Sequence, residues 1–135
     1  MRLKNIFLIP VLVVIFITSC PIENGINCTV TYSITNNSAN SIDKLIYLDS
    51  NGNLVTLNNV DIPWSFTFNK NANRIVGSCE GWIYSTNNVS GNSLLLTINI
   101  SGDKNNFLEK TITANQNLDL HFSESIEVLS TLTRM

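Results

Sequence analysis

Residues 94–100 read LLLTINI, with an apolar residue at every even-numbered position. In a β-strand successive side chains point to opposite faces, so a period of two is typical of a strand with one buried face. The strongest inward-facing set in the chain is therefore predicted to be Leu94, Leu96, Ile98 and Ile100. We expect this strand to form the centre of a β-sheet core.

The same alternation recurs on both sides of this stretch. It is clear in 28–34, in 62–68, where Trp64 is expected in the core, and in 118–122. Runs of Asn, Gly and Ser separate these segments, and Asn51-Gly52 is a strong hairpin signal. No helical periodicity follows residue 20. About seven or eight strands at this spacing predict an all-β fold, a single antiparallel β-sandwich.

The first twenty residues have the features of an export signal. Arg2 and Lys4 precede an apolar run over 6–17, which ends in Ile17-Thr18-Ser19-Cys20. The run has about 12 residues, whereas a bilayer-spanning helix needs about 20. This end resembles the lipobox of bacterial lipoproteins, in which the cysteine is lipidated and becomes the new N-terminus. The alternative is an ordinary secretory peptide with a coincidental cysteine.

The domain boundaries follow from this interpretation. Residues 1–19 are predicted to be a lipoprotein signal peptide and 20–27 a lipidated tether. Removing 19 of the 135 residues leaves 116, which is the size of one domain. The β-sandwich is assigned to 28–123, and 124–135 to a C-terminal strand or tail.

Charge and cysteine content restrict the possible partners. Without the leader, six basic and ten acidic residues remain, and the net charge is about −4 with no Lys/Arg cluster. We therefore expect no nucleic-acid partner. In an exported protein, Cys28 and Cys79 are predicted to form a disulfide, with two buried free thiols as the alternative. Two scattered cysteines and one histidine match no zinc pattern, so no metal site is predicted.

Three segments carry a family resemblance: 30–34 (VTYSI), 59–68 (NVDIPWSFTF) and 96–103 (LTINISGD). They resemble the MmpS family of mycobacterial small membrane proteins and their lipoprotein relatives, and the similarity spans about 29–103. The resemblance implies an immunoglobulin-like sandwich on the outer side of a membrane, acting as an accessory partner of an export permease. This chain departs from the family in having a lipobox instead of a transmembrane helix, and in lacking cysteines in the late strands.

No pattern in the sequence indicates catalysis. His121 is predicted to face solvent, and neither a nucleophile elbow nor a Gly-rich oxyanion loop is evident. The stretch 49–53 is explained by turn chemistry better than by calcium binding. Glu124 and Glu127 are interpreted as solvated charges rather than as a glycosidase pair. We expect that the protein is not an enzyme and has no cofactor other than the covalent lipid on Cys20.

A candidate partner-binding patch is built from aromatic residues on a second strand face. If the strand from residue 74 is regular, Trp82 and Tyr84 point outward, and Tyr47 and Leu95 would extend the patch. The alternative, slightly favoured, is a β-bulge at Gly81 that returns Trp82 to the core.

Together these features predict a non-enzymatic lipoprotein of the cell envelope, anchored to a bacterial membrane through Cys20. The membrane would be the outer one in a cell that has two. Its β-sandwich is expected to contact protein partners, including an envelope transporter. The alternative is an envelope lipoprotein that binds a small ligand or a glycan.

Overall fold

A computed structural model describes residues 25–36, 41–84, 93–113 and 119–130. These residues form eight β-strands, which confirms the all-β prediction. The strands are β1 (Ile26–Asn36), β2 (Ser41–Leu48), β3 (Leu54–Asp61), β4 (Trp64–Ala72), β5 (Arg74–Ile83), β6 (Ser93–Gly102), β7 (Asn106–Thr113) and β8 (Leu120–Leu129).

The strands form two four-stranded sheets, and every paired neighbour is antiparallel. Sheet A has the order β4-β1-β6-β7, and sheet B has the order β3-β2-β5-β8. The predicted β-sandwich is therefore confirmed, while its immunoglobulin-like character stays a prediction. None of the described residues forms a helix long and apolar enough to span a bilayer.

The core lies between the two sheets and is supplied mainly by the central strands. The even-numbered residues of β6 from Leu94 to Ile100 are all at most 1% exposed, as their alternation predicts. The even-numbered residues of β1 from Ile26 to Ile34 lie beside them on the inner face of the same sheet. The apolar alternation of the two strands therefore predicted the buried face correctly, because in a sandwich one face of each sheet packs against the core and the other faces solvent.

Tyr32 joins the two sheets by hydrogen bonds through this core. Its ring is fully buried, and its hydroxyl donates to the Leu48 carbonyl oxygen at 2.9 Å. The same hydroxyl accepts the Ser78 N–H at 3.2 Å. Burial raises the pKa of Tyr32 to about 12, because the phenolate would be desolvated.

Strands β2 and β3 each switch which of their two faces is buried, and they do so at paired positions. Ile42 and Leu45 are both fully buried although three positions separate them. In β3, Leu57 packs against the core and Val60 is buried, again three positions apart, and Asn59 between them has a φ of 52°. The pairing register continues across this change, since each strand carries one extra residue there.

This change of face corrects the prediction for Tyr47. Tyr47 was placed on the second face of its strand, but it lies in the core and is only 7% exposed. Its ring centroid is 4.7 Å from that of Phe66 and 5.4 Å from that of Trp64, and both of these side chains pack against the core from β4. The aromatic side of β4 thus packs on Tyr47, and Tyr47 belongs to no surface patch.

The C-terminal strand is longer than its alternation indicates. β8 runs without interruption to Leu129, and Ser130 N–H donates to the Asn73 carbonyl oxygen at 2.8 Å. The predicted signal peptide, Cys20, the turn at 37–40, the loop at 87–92 and the last five residues lie outside the described residues.

Candidate functional site

Trp82 lies on the outer face of sheet B. In β5 the residues at 75, 77, 79, 81 and 83 are all buried, so the strand alternates regularly along its length. The bulge predicted at Gly81 is therefore wrong. Gly81 faces the core, where its missing side chain leaves room for the ring of Phe122. Because Gly81 packs inward, its neighbour Trp82 must point outward.

The indole of Trp82 is held between two side chains from the neighbouring strands. Lys44 of β2 and His121 of β8 are its direct cross-strand partners. The His121 ring stacks on the indole with centroids 4.7 Å apart and an interplanar angle of 22°. The Lys44 Nζ lies 5.0 Å from the indole centroid, within the range of a cation–π interaction. These contacts fix the orientation of Trp82.

His121 is oriented in turn by an acidic residue on β5. Its Nε2 lies 2.8 Å from the Glu80 Oε1, and both side chains are partly exposed. The prediction that His121 lies on the outer face, beside solvent, agrees with this geometry. The histidine positions the indole and carries a polar edge to solvent. Lys44 and Glu80 place opposite charges on either side of Trp82.

Tyr84 follows the last residue of β5 and is 41% exposed. Its backbone N–H donates to the Asp43 Oδ2 at 2.8 Å, which fastens the chain end to β2. We call the surface formed by Lys44, Trp82, Tyr84 and His121 the Trp82 patch. Leu95, which was expected to extend the patch, lies on β6 in sheet A and therefore on the opposite side of the molecule.

The disulfide predicted between Cys28 and Cys79 is not formed, and both thiols are free and buried. Cys28 is at the start of β1, where its Sγ lies 3.5 Å from the Lys104 carbonyl oxygen. Cys79 follows Ser78, whose N–H donates to the Tyr32 hydroxyl, so Cys79 lies near the level of Tyr32. Tyr32 is four residues, or about 13 Å, further along β1 than Cys28. A disulfide needs Cα atoms within about 7 Å. The thiols thus occupy different levels of the sandwich.

The two glutamates near the C-terminus are engaged separately. Glu124 faces inward and forms an ion pair with Lys110 of β7, which ties the edge strands of the two sheets together. Glu127 lies 2.7 Å from Arg74 across β5 and β8. Glu124 is therefore not simply a solvated charge, because it lies in the partly buried edge of the sandwich.

The segment 49–53 is a turn, as its residues predict. The Asp49 Oδ1 accepts the N–H groups of Asn51 and Asn53, each at 2.8 Å. Hydrogen bonds to the Asn53 backbone hold the pKa of Asp49 below its ordinary value. In the parts of the chain that the structure describes, no group of three His, Cys, Asp or Glu side chains is placed to hold a metal ion.

Comparison with known families agrees with the resemblance seen in the sequence. The family model described as "Mycobacterium membrane protein" matches residues 22–101. This match covers more than half of the 135 residues. The chain belongs to this family. No protein among the curated sequences matches it.

The family match includes β1 to β5 and nearly all of β6, and so includes Lys44, Trp82 and Tyr84. It ends at Ser101, before β8 supplies His121. The Trp82 patch thus combines residues from the matched region with one from beyond it. The sequence placed Trp82 and Tyr84 on one strand face and indicated His121 separately. It did not bring Lys44 and His121 beside Trp82, because the pairing of β5 with β2 and β8 joins strands that are distant in sequence.

Proposed function

We propose that this chain, a membrane-associated envelope protein of the Mycobacterium membrane protein family, is a non-enzymatic lipoprotein that engages a protein partner through the Trp82 patch. The proposed anchor is a lipid on Cys20. The proposed partner is an envelope transporter protein, with no nucleic acid and no cofactor involved. The observation that carries this proposal is the fixed, partly exposed indole of Trp82 between Lys44 and His121.

The Trp82 patch has the composition of a binding hot spot. Tryptophan and tyrosine contribute large contact areas with few rotatable bonds, and they dominate the energy of many protein interfaces. Here the indole is already oriented by His121 and Lys44, so binding would cost little side-chain entropy. The charges of Lys44 and Glu80 at its margin would set the register of a partner, since rim charges contribute specificity more than affinity.

The position of the patch along the sandwich supports a partner above the membrane. β1 begins at Ile26, six residues after Cys20, so the tether spans at most about 21 Å. β5 begins beside the same end of the sandwich, because Arg74 follows β4 just after Ala72, which pairs with Ile26. Trp82 lies eight residues further, or about 26 Å along the strand. The patch would therefore face a partner away from the lipid.

The lipid anchor predicts a complete loss of fatty-acid labelling when Cys20 is replaced. Cells expressing the wild type with radiolabelled palmitate should yield a labelled protein, whereas Cys20→Ala should yield none. Cys28→Ala serves as the matched control, because the Cys28 thiol is buried in the sandwich and should not affect labelling. Equal labelling of the wild type and Cys20→Ala would contradict the anchor.

Partner binding predicts that Trp82→Ala weakens the complex at least about tenfold, as truncation of an aromatic hot spot does. A photo-crosslinker at Tyr84 in living cells should capture a membrane transporter protein, and Trp82→Ala should abolish that product. Leu54→Ala is the control, since Leu54 is 70% exposed but lies on β3 outside the patch. Loss of the product with Leu54→Ala alone, or with neither variant, would count against the Trp82 patch.

A further inference from the structure

The outer face of sheet A is almost uniformly neutral and polar. At every outward position of the three neighbouring strands β4, β1 and β6 whose side chain is described, the residue is Ser, Thr or Asn, with Leu95 as the exception. We call this surface the hydroxyl face. Threonine favours strands through its branched Cβ, but lysine, glutamate and arginine are common on exposed sheet faces as well. Their absence from the described outward positions of these three strands is therefore specific to this side of the molecule.

Charged residues at outward strand positions lie mainly on the other sheet. The outer face of sheet B carries the Arg74–Glu127 ion pair, together with Lys44 and Glu80 beside Trp82. On the outer face of sheet A, among the described strands, charge is confined to Glu109 on the edge strand β7. The two outer faces thus differ in charge, and the hydroxyl face offers a charged ligand no attraction between opposite charges.

The polar groups of the hydroxyl face form rows across the strands. Thr31 of β1 pairs with Thr67 of β4 on one side and with Asn99 of β6 on the other, and Asn99 pairs with Phe107 of β7. At about 4.8 Å between strands this row is about 14 Å long. The Thr67 hydroxyl donates to the Thr31 hydroxyl at 3.1 Å, which orients both groups. Phe107 ends the row and is 59% exposed.

We propose that the hydroxyl face binds an uncharged polysaccharide. Hydroxyl and amide groups both donate and accept hydrogen bonds, as sugar hydroxyls do, so a row of them can pair with a sugar chain without placing like groups together. The exposed ring of Phe107 offers an apolar surface for the C–H face of a pyranose. The Thr31–Asn99–Phe107 row therefore supplies both kinds of contact that a neutral sugar makes.

The same observations argue against other occupants. A nucleic acid or an anionic phospholipid surface would need lysine or arginine, which this face does not present in the described strands. A second protein copy would need an apolar centre. Leu95 and Phe107 do not form one, because Phe107 pairs with Asn99, four residues or about 13 Å along β6 from Leu95.

The test is retention of the full-length protein, solubilised in detergent, on insoluble cellulose, chitin and curdlan, with soluble alginate as an anionic competitor. We expect retention on at least one of the neutral polysaccharides, and no competition by alginate. Phe107→Ala and Thr31→Val should each reduce the bound fraction about fivefold to tenfold, as loss of a stacking ring or one hydrogen bond does. Thr31→Val preserves the branched shape of the side chain, so it reports on the hydroxyl even if Phe107→Ala folds poorly.

One control separates this proposal from the partner site. Trp82→Ala should be retained like the wild type, because Trp82 lies on the other sheet. Loss of retention in Trp82→Ala with unchanged Thr31→Val and Phe107→Ala would overturn the hydroxyl face while leaving the Trp82 patch in place. Absence of retention on all three polysaccharides would also overturn the proposal. So would a dimer in sedimentation equilibrium that Phe107→Ala dissociates, since that result would identify a second copy as the occupant.

Discussion

Replacing Tyr32 by Phe is expected to lower the free energy of unfolding by about 2–4 kcal/mol. The change removes one oxygen atom from a fully buried side chain. That oxygen satisfies the Leu48 carbonyl and the Ser78 N–H, which belong to two different strands of sheet B. Without it both partly buried backbone groups lose this hydrogen-bond partner, and each group left unsatisfied costs about 1–3 kcal/mol. Urea unfolding followed by tryptophan fluorescence measures the loss.

Tyr84→Phe is the matched control, because Tyr84 is exposed and makes its contact with Asp43 through the backbone. We expect the free energy of unfolding of this variant to lie within about 0.5 kcal/mol of the wild-type value. If Tyr32→Phe were as stable as Tyr84→Phe, the hydroxyl would not be the link between the sheets.

The same residue makes stability depend on alkaline pH. The folded pKa of Tyr32 is raised from 10.0 to about 12, so the unfolded chain loses its phenolic proton first. The contribution of Tyr32 to the free energy of unfolding is fully present below pH 10 and is lost as the pH rises to about 12. Burial raises the pKa of Cys79 to about 12 as well, and it adds a loss of the same sign. The fall should be smaller in Tyr32→Phe than in the wild type.

Replacing Gly102 by Ala is expected to lower the free energy of unfolding by about 3 kcal/mol, for two reasons that act together. Gly102 has a φ of +139°, a conformation that side chains other than glycine rarely adopt. A Cβ there would also contact the Asn27 carbonyl oxygen too closely and lie 3.0 Å from the Cys28 Cα. These are backbone atoms of the paired strand, so neither can move aside by rotating a side chain.

Gly52→Ala isolates the first reason from the second. Gly52 has a φ of +81°, but a Cβ there would have no heavy atom within 4 Å. Strain alone predicts a loss of about 1 kcal/mol. The difference between the two variants therefore contains the close approach of β6 to β1 together with the greater backbone strain at a φ of +139°, and equal losses would contradict both. Thermal and urea unfolding of both variants give the comparison.

Alternation predicted the strands reliably where one face of a strand is buried. This alternation predicted β6 and β1, because the period of two in 94–100 and in 28–34 indicates which side chains face the core. β8 was only partly found. Beyond Phe122 its inward positions hold Glu124 and Ile126, which are half-buried at the edge of sheet B, and a charged residue there breaks the apolar pattern.

The errors at Tyr47 and Trp82 both concern where a strand keeps or loses its alternation. Strand alternation is a local rule, and it holds only while the backbone keeps its phase. The change of face between Ile42 and Leu45 of β2 reversed the assignment of Tyr47. At Gly81 the opposite happened, because a glycine that suggested a bulge was needed to admit the Phe122 ring. Neither case is visible without the opposing strand.

The amino-acid sequence by itself determined that this protein is a β-sandwich of the Mycobacterium membrane protein family, since local periodicity and motif spacing are properties of the chain alone. The tertiary structure alone decided which residues meet. It placed Lys44, Trp82 and His121 in one row and put Cys28 and Cys79 at different levels. The physical reason is that pairing register and sheet packing depend on contacts between strands far apart in sequence. No local pattern encodes those contacts.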